Sequence, residues 1–175
     1  MPRNADNIDK VLKKLKKELD KIVKDNNYRI EAGWYTDFFV MLANVHEYGA
    51  FVKVTDKMRG FLMKNYGIFL PKSKTQIVIP PRPHRQTTID KYIDKWRREL
   101  NTLLDRPNIK VEQACEIMAM TMQQDYKYSI MNNNLKSLAG MTLHIRKIKG
   151  IGGTLPLFAT GEFVRNIEGK VEKNE

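Results

Sequence analysis

Cysteine is almost missing from this chain of 175 residues: Cys115 stands alone. One thiol excludes an internal disulfide and leaves no cysteine pair for a metal site. Within Val111-Glu112-Gln113-Ala114-Cys115-Glu116-Ile117-Met118 it reads as a buried helix position. Long apolar runs are lacking too. No stretch approaches the ~18–20 residues that span a bilayer, and no apolar segment of a secretory signal follows Met1. The expectation is a protein made and folded in a reducing cytoplasm, with no membrane partner.

Signatures of chemistry are equally scarce. His46-Glu47 starts a zinc-protease pattern, but position 50, where the second histidine is needed, holds Ala50. His84 and His144 sit in other segments, and nothing in the sequence joins the three histidines. None of Ser73, Ser129 and Ser137 lies in a nucleophile elbow. Gly150-Ile151-Gly152-Gly153 is followed by no Lys-Ser/Thr pair, so it is a joint and not a phosphate loop. Carboxylates are scattered over helix faces as solvated charges are. Met118, Met120 and Met122, at helical spacing, read as core or interface filler, not a cofactor pocket. The expectation is no enzyme: no catalytic residue, no metal and no cofactor.

Acid is outnumbered by base. Thirty-one Lys and Arg face 20 Asp and Glu, a formal net charge of +11. A surplus of this size implies an acidic partner: nucleic acid, a membrane surface or an acidic protein face. The hydrophobic fraction of 42% supports a modest core, and the length fits one domain. Residues 1–27 read as a basic amphipathic helix and 28–175 as a single α+β domain, with an insertion or flap over 50–76.

In the first segment Ile8, Val11, Leu12, Leu15, Leu19, Ile22 and Val23 recur at helical steps among lysines. Asp9, Glu18 and Asp20 are interspersed, which favours a solvated lysine face over a packed apolar stripe. Tyr28, Ile30, Ala32 and Trp34 then alternate as a strand. Asp37 is placed to cap a helix that closes on Gly49. Thr55 and Asp56 open a short helix that Asn65 and Gly67 end, inside a hairpin or helix-containing flap.

The organising stretch is Ile77-Val78-Ile79-Pro80-Pro81-Arg82-Pro83-His84. A strand end runs into a stiff arm, because each proline fixes its φ and biases its predecessor to extended geometry. This predicts a protruding element. Thr87 or Thr88 is expected to cap the next helix, which reaches Leu104 with Ile89, Tyr92, Ile93, Trp96, Leu100, Leu103 and Leu104 inward. A second long helix runs from about Val111 to Met131. Met141 to Ile148 alternates weakly and predicts an extended arm or edge strand. Leu155-Pro156-Leu157-Phe158 reads as an apolar patch, Thr160 as the cap of a short turn after it, and Ile167, Gly169 and Val171 as one face of a last strand.

Three segments together carry a resemblance. They are Ala43-Asn44-Val45-His46-Glu47-Tyr48-Gly49, then Ile79-Pro80-Pro81-Arg82-Pro83 with the helix after it, then Pro156-Leu157-Phe158-Ala159-Thr160-Gly161-Glu162-Phe163-Val164-Arg165-Asn166-Ile167. In this order the chain, from about Tyr28 to Val171, resembles the neck and tail-completion proteins of tailed bacteriophages. The insertion from Met58 to Pro80 resembles that of one branch of the group. His84 replaces a usual aromatic, and Ala159 a common acid.

The resemblance implies an α+β fold, with a twisted antiparallel sheet flanked by helices. It also implies a homo-oligomeric ring, a hexamer, in the neck or tail end of the virion. Partners would be connector and tail-tube proteins, with double-stranded DNA passing through the channel without sequence readout. Expected interface residues are Pro80, Pro81, Arg82, Pro83, His84, Phe158, Thr160, Gly161 and Arg165. Arg82 has two readings, an interface or channel contact and a solvated loop charge. Gly49 and Gly161 read as glycines required by backbone geometry. The alternative is a basic nucleic-acid-binding regulatory module, supported by the lysine-rich first helix. No helix-turn-helix or zinc pattern accompanies it.

Overall fold

The alternation of Tyr28, Ile30 and Ala32 is realised as strand β1 (Tyr28–Gly33). It pairs antiparallel with the last strand, β4 (Glu168–Lys173), Tyr28 opposite Lys173 and Gly33 opposite Glu168. The computed structural model describes residues 13–19, 21, 24–132, 138–151 and 161–174. Residues 13–19 are helical (α1), as are 21, 24 and 25. Leu15 and Leu19 stay 49% and 59% exposed, so this part of the apolar stripe is not packed under the fold as expected. Ile8, Val11, Leu12, Ile22 and Val23 lie outside the described residues.

Helix α2 (Asp37–Tyr48) follows β1. Thr36, not Asp37, precedes it, and Asp37 sits in its first turn, where the helix dipole favours an acid. β2 (Ala50–Lys53) and β3 (Gln76–Ile79) form an antiparallel pair, and α3 (Asp56–Tyr66) is inserted between them. The 50–76 excursion is therefore both a hairpin and a helical flap. Thr55 caps α3 as expected, its hydroxyl accepting from the Met58 N–H at 3.2 Å. Among the described residues the strands make two separate two-stranded sheets, not one twisted sheet. Each pair finds its own helical cover: β1 and β4 lie against α5, while α3 of the flap meets α6.

α4 (His84–Leu104) and α5 (Val111–Asn132) are the long helices. Thr88 meets Ser129 and Lys95 meets Asp125, so partners run in opposite order and the helices are antiparallel. α4 starts at His84, ahead of the expected caps Thr87 and Thr88. Its buried stripe is His84, Thr88, Trp96 and Leu103, while Ile89 and Leu104, expected inward, are exposed. Thr87 and Thr88 do not cap it. Their hydroxyls donate back to the carbonyls of Pro83 and His84, at 2.5 Å and 2.7 Å.

Residues Gly140–Ile148 form helix α6, not an extended arm or edge strand. Met141, Thr142, Ile145 and Arg146 turn inward at helical spacing while Leu143, His144 and Lys147 face solvent. The weak alternation in the sequence was a partial sampling of that period. α7 (Glu162–Arg165) is a single turn preceded by Gly161; Thr160, the expected cap, lies outside the described residues. The core joins these elements through Ala43, Tyr126, Ile130, Phe163, Val164 and Ile167, with Trp34, Phe39 and Leu42 against them. Ile167 is fully buried, worth roughly 1.5–3 kcal/mol for a side chain of its kind. Cys115 is buried, as its spacing predicts.

Candidate functional site

The end of α2, the Ile79–His84 segment and α7 meet at one junction. α2 closes on Gly49, whose φ is +77°. A Cβ at Gly49 would stand 2.7 Å from the Ile79 carbonyl oxygen and 3.0 Å from Pro81 N, so the proline segment crosses directly over this turn. The Arg82 N–H donates to the His46 carbonyl at 2.6 Å, satisfying one of the carbonyls left open at the end of α2.

The favour is returned at α4. Pro83 precedes that helix and offers no capping side chain. The Glu47 carboxylate supplies the cap instead. It accepts from the Arg85 N–H at 2.8 Å and from the Gln86 N–H at 3.1 Å. Glu47 is buried, and a buried carboxylate is tolerable here because it meets backbone donors at the positive end of a helix.

His84, 1% exposed, opens α4. Its Nε2 lies 3.3 Å from the Ala43 carbonyl and its Nδ1 3.0 Å from the Tyr126 hydroxyl. A carbonyl only accepts, so Nε2 carries the proton and Tyr126 donates to Nδ1. Burial pushes the His84 pKa down, against the opposing pull of Glu47 at 3.8 Å and the Ala43 carbonyl. Burial, then Glu47, raises that of Tyr126. Both groups are neutral partners sealed in the core.

Phe163 of α7 completes the junction. Its ring stacks on Trp34 at 4.3 Å and lies 5.9 Å from His84 and 6.0 Å from His46. Trp34 Nε1–H donates to the Phe163 carbonyl at 2.7 Å. Burial first, then the charges of Arg82 and Arg146, push the His46 pKa down to about 4. Arg82 and Arg146 are both buried, and burial followed by the Arg146 charge lowers the Arg82 pKa.

Of the expected interface residues, Arg82, His84 and Gly161 are buried in the protomer, and Pro80 is half-buried. Pro81, Pro83 and Arg165 are exposed. Phe158 and Thr160 lie outside the described residues. Arg82 is not a solvated loop charge, and the proline segment does not project from the fold but braces α2 against α4. Sequence reasoning missed Glu47 as a cap, and missed Trp34 and Tyr126 as members of the junction. The signal for Glu47 was a helix start at Pro-Arg-Pro-His with no Ser, Thr, Asp or Asn in front of it.

What this arrangement does is hold segments together: the Glu47 carboxylate, the Arg82 N–H and the His84 ring are each taken up by another segment, while His46 Nδ1 is buried without a hydrogen-bond partner among the described residues. Among the described residues no group of three His, Cys, Asp or Glu is placed to hold a metal. No helix among them is long and apolar enough to cross a membrane. Comparison with known proteins returned no matching family model, no matching curated protein and no matching solved structure.

Proposed function

We propose that this chain is a structural protein of the tailed-bacteriophage neck, a ring that completes the tail and joins it to the head while DNA passes through its channel. The observation that carries this reading is the mutual dependence of the three segments that bear the resemblance. Far apart in the chain, they lock into one junction in which Glu47 caps α4, Arg82 caps α2, and Phe163 packs on His46 and His84. Such a brace gives a subunit a fixed shape, and a ring needs identical shapes repeated around an axis. The net charge of +11 suits a channel that tolerates DNA without reading it.

The test is mass in solution together with negative-stain imaging, and location in purified particles. A ring of uniform diameter, found at the head–tail joint, is the expected result. A monomer at every concentration, absent from assembled particles, overturns the proposal.

A further inference from the structure

Two exposed faces of this chain are opposite in charge and alike in apolar content. The first is the flap. Residues 50–76 hold six basic residues against one acid, Asp56. Arg59 is turned inward onto its own loop, but Lys53, Lys57, Lys64, Lys72 and Lys74 are exposed. None of these lysines makes an ion pair among the described residues. Among them stand Phe51 (75% exposed), Phe69 (74%), Phe61 and Met63 (54% each). Phe51 lies opposite Val78 in the hairpin register, and Val78 is exposed as well. A two-stranded ribbon showing this much apolar surface is unfinished on its own.

The second face is the first half of α5. The helix holds Glu112, Glu116 and Asp125, and its one basic residue, Lys127, comes near the end. Asp125 is occupied by Lys95 and by the Trp96 N–H. Glu112, Glu116 and Met120 follow at steps of four and share one face, with Ile117 beside them. The two acids are exposed and make no ion pair among the described residues, Met120 is 63% exposed, and Ile117 is 41% exposed. In a chain carrying +11, an acidic and apolar helix face is the exception.

We infer that the flap of one copy docks on the α5 face of the next. The inference rests on the ring reading above and names the surfaces that make its repeating contact. The occupant of each face is a second copy, because each face supplies what the other lacks: lysines for Glu112 and Glu116, and phenylalanines for Ile117 and Met120. The two patches differ, so the contact is head-to-tail, and a contact of that kind closes into a ring when its rotation divides the circle. Apolar centre and charged rim follow the usual division of an interface, with charge fixing the register.

The experiment is charge reversal and its rescue on the full chain, read by sedimentation or mass photometry over a range of concentrations. Glu112→Lys with Glu116→Lys is expected to weaken assembly by about tenfold or more, as is Lys57→Glu with Lys64→Glu. Mixing the two variants, which restores opposite charges at the junction, is expected to recover mixed assemblies that neither forms alone. All these positions are exposed, and unchanged circular dichroism and melting confirm that each variant is folded. A ring from the unmodified chain that survives both reversals sinks this contact and leaves the ring reading intact. A monomer from the unmodified chain sinks both. Binding of duplex DNA or anionic vesicles by the flap, with assembly insensitive to Glu112 and Glu116, also overturns it.

Discussion

The Glu47 carboxylate accepts the backbone N–H of Arg85 at 2.8 Å, so the end of one helix supplies the N-cap of another 38 residues away. The cap is non-local because Pro83 stands where a Ser or Asp would otherwise sit. Removing it opens the start of α4. Glu47→Ala is expected to cost about 1.5–3 kcal/mol, since two part-buried backbone donors lose a charged acceptor. Glu47→Gln, which keeps one carbonyl acceptor, should cost less than that. Urea unfolding measures both, and amide exchange at Arg85 and Gln86 locates the damage. Equal stability of the Ala variant and the unmodified chain would refute the cap.

His46 and His84 make the fold sensitive to acid. The pKa of His46 is about 4 in the folded state against 6.5 for the free side chain. Between those values the unfolded chain takes up a proton that the folded chain refuses, so stability falls as pH falls from about 6.5 to about 4. The full loss from His46 is about 3 kcal/mol. The depressed pKa of His84 acts in the same direction. Melting temperature against pH is expected to drop through this window. His46→Phe, which places an uncharged ring beside Phe163, should flatten part of the drop. An unchanged slope in that variant would assign the acid sensitivity elsewhere.

β4 is pressed against α5 with no room for a side chain at Gly169. A Cβ there would lie 2.3 Å from the Ala119 carbonyl oxygen. Gly169→Ala must push strand from helix, and is expected to cost about 1–3 kcal/mol or more, with loss of the β1–β4 pairing. Gly33, next to Ala32, the residue that pairs with Gly169, has nothing within 4 Å of its Cβ position. Gly33→Ala is therefore the matched control and should fold normally. A comparable loss in both would place the effect in the strand and not in the contact.

What the sequence made legible follows from local rules. The β3 run stops at Pro80, α3 starts on Thr55, and Gly49 takes a positive φ, each decided by residues within one turn. The partners of distant segments were not legible. β1 pairs with a strand near the far end of the domain, and nothing in either strand names the other. Arg82 and His84 look like surface residues in a polar-rich arm, and they are buried because His46, Ala43 and Tyr126 come to meet them. α6 was not legible because its nine residues hold two inward polar side chains, Thr142 and Arg146, which break the apolar period.

Arg59 organises the flap from within. Its guanidinium donates to the carbonyls of Leu70 (3.0 Å), Pro71, Lys72 (3.3 Å) and Lys74 (2.9 Å), and lies 3.5 Å from the Asp56 carboxylate. Four carbonyls converging on one planar cation bind the loop to α3 as a spread of donors in a fixed fork requires, and a lysine ammonium has no such fork. The Val54 N–H to Thr75 carbonyl bond at 2.9 Å, which starts the hairpin ladder, depends on where that loop ends. Arg59→Lys is therefore expected to behave like Arg59→Ala, with faster proteolysis between residues 68 and 76 and lost exchange protection at Val54. The α4–α5 core lies apart from this loop, so global unfolding should shift by less than the local opening. Proteolysis of Arg59→Lys at the rate of the unmodified chain would show that charge alone, and not the fork, holds the flap closed.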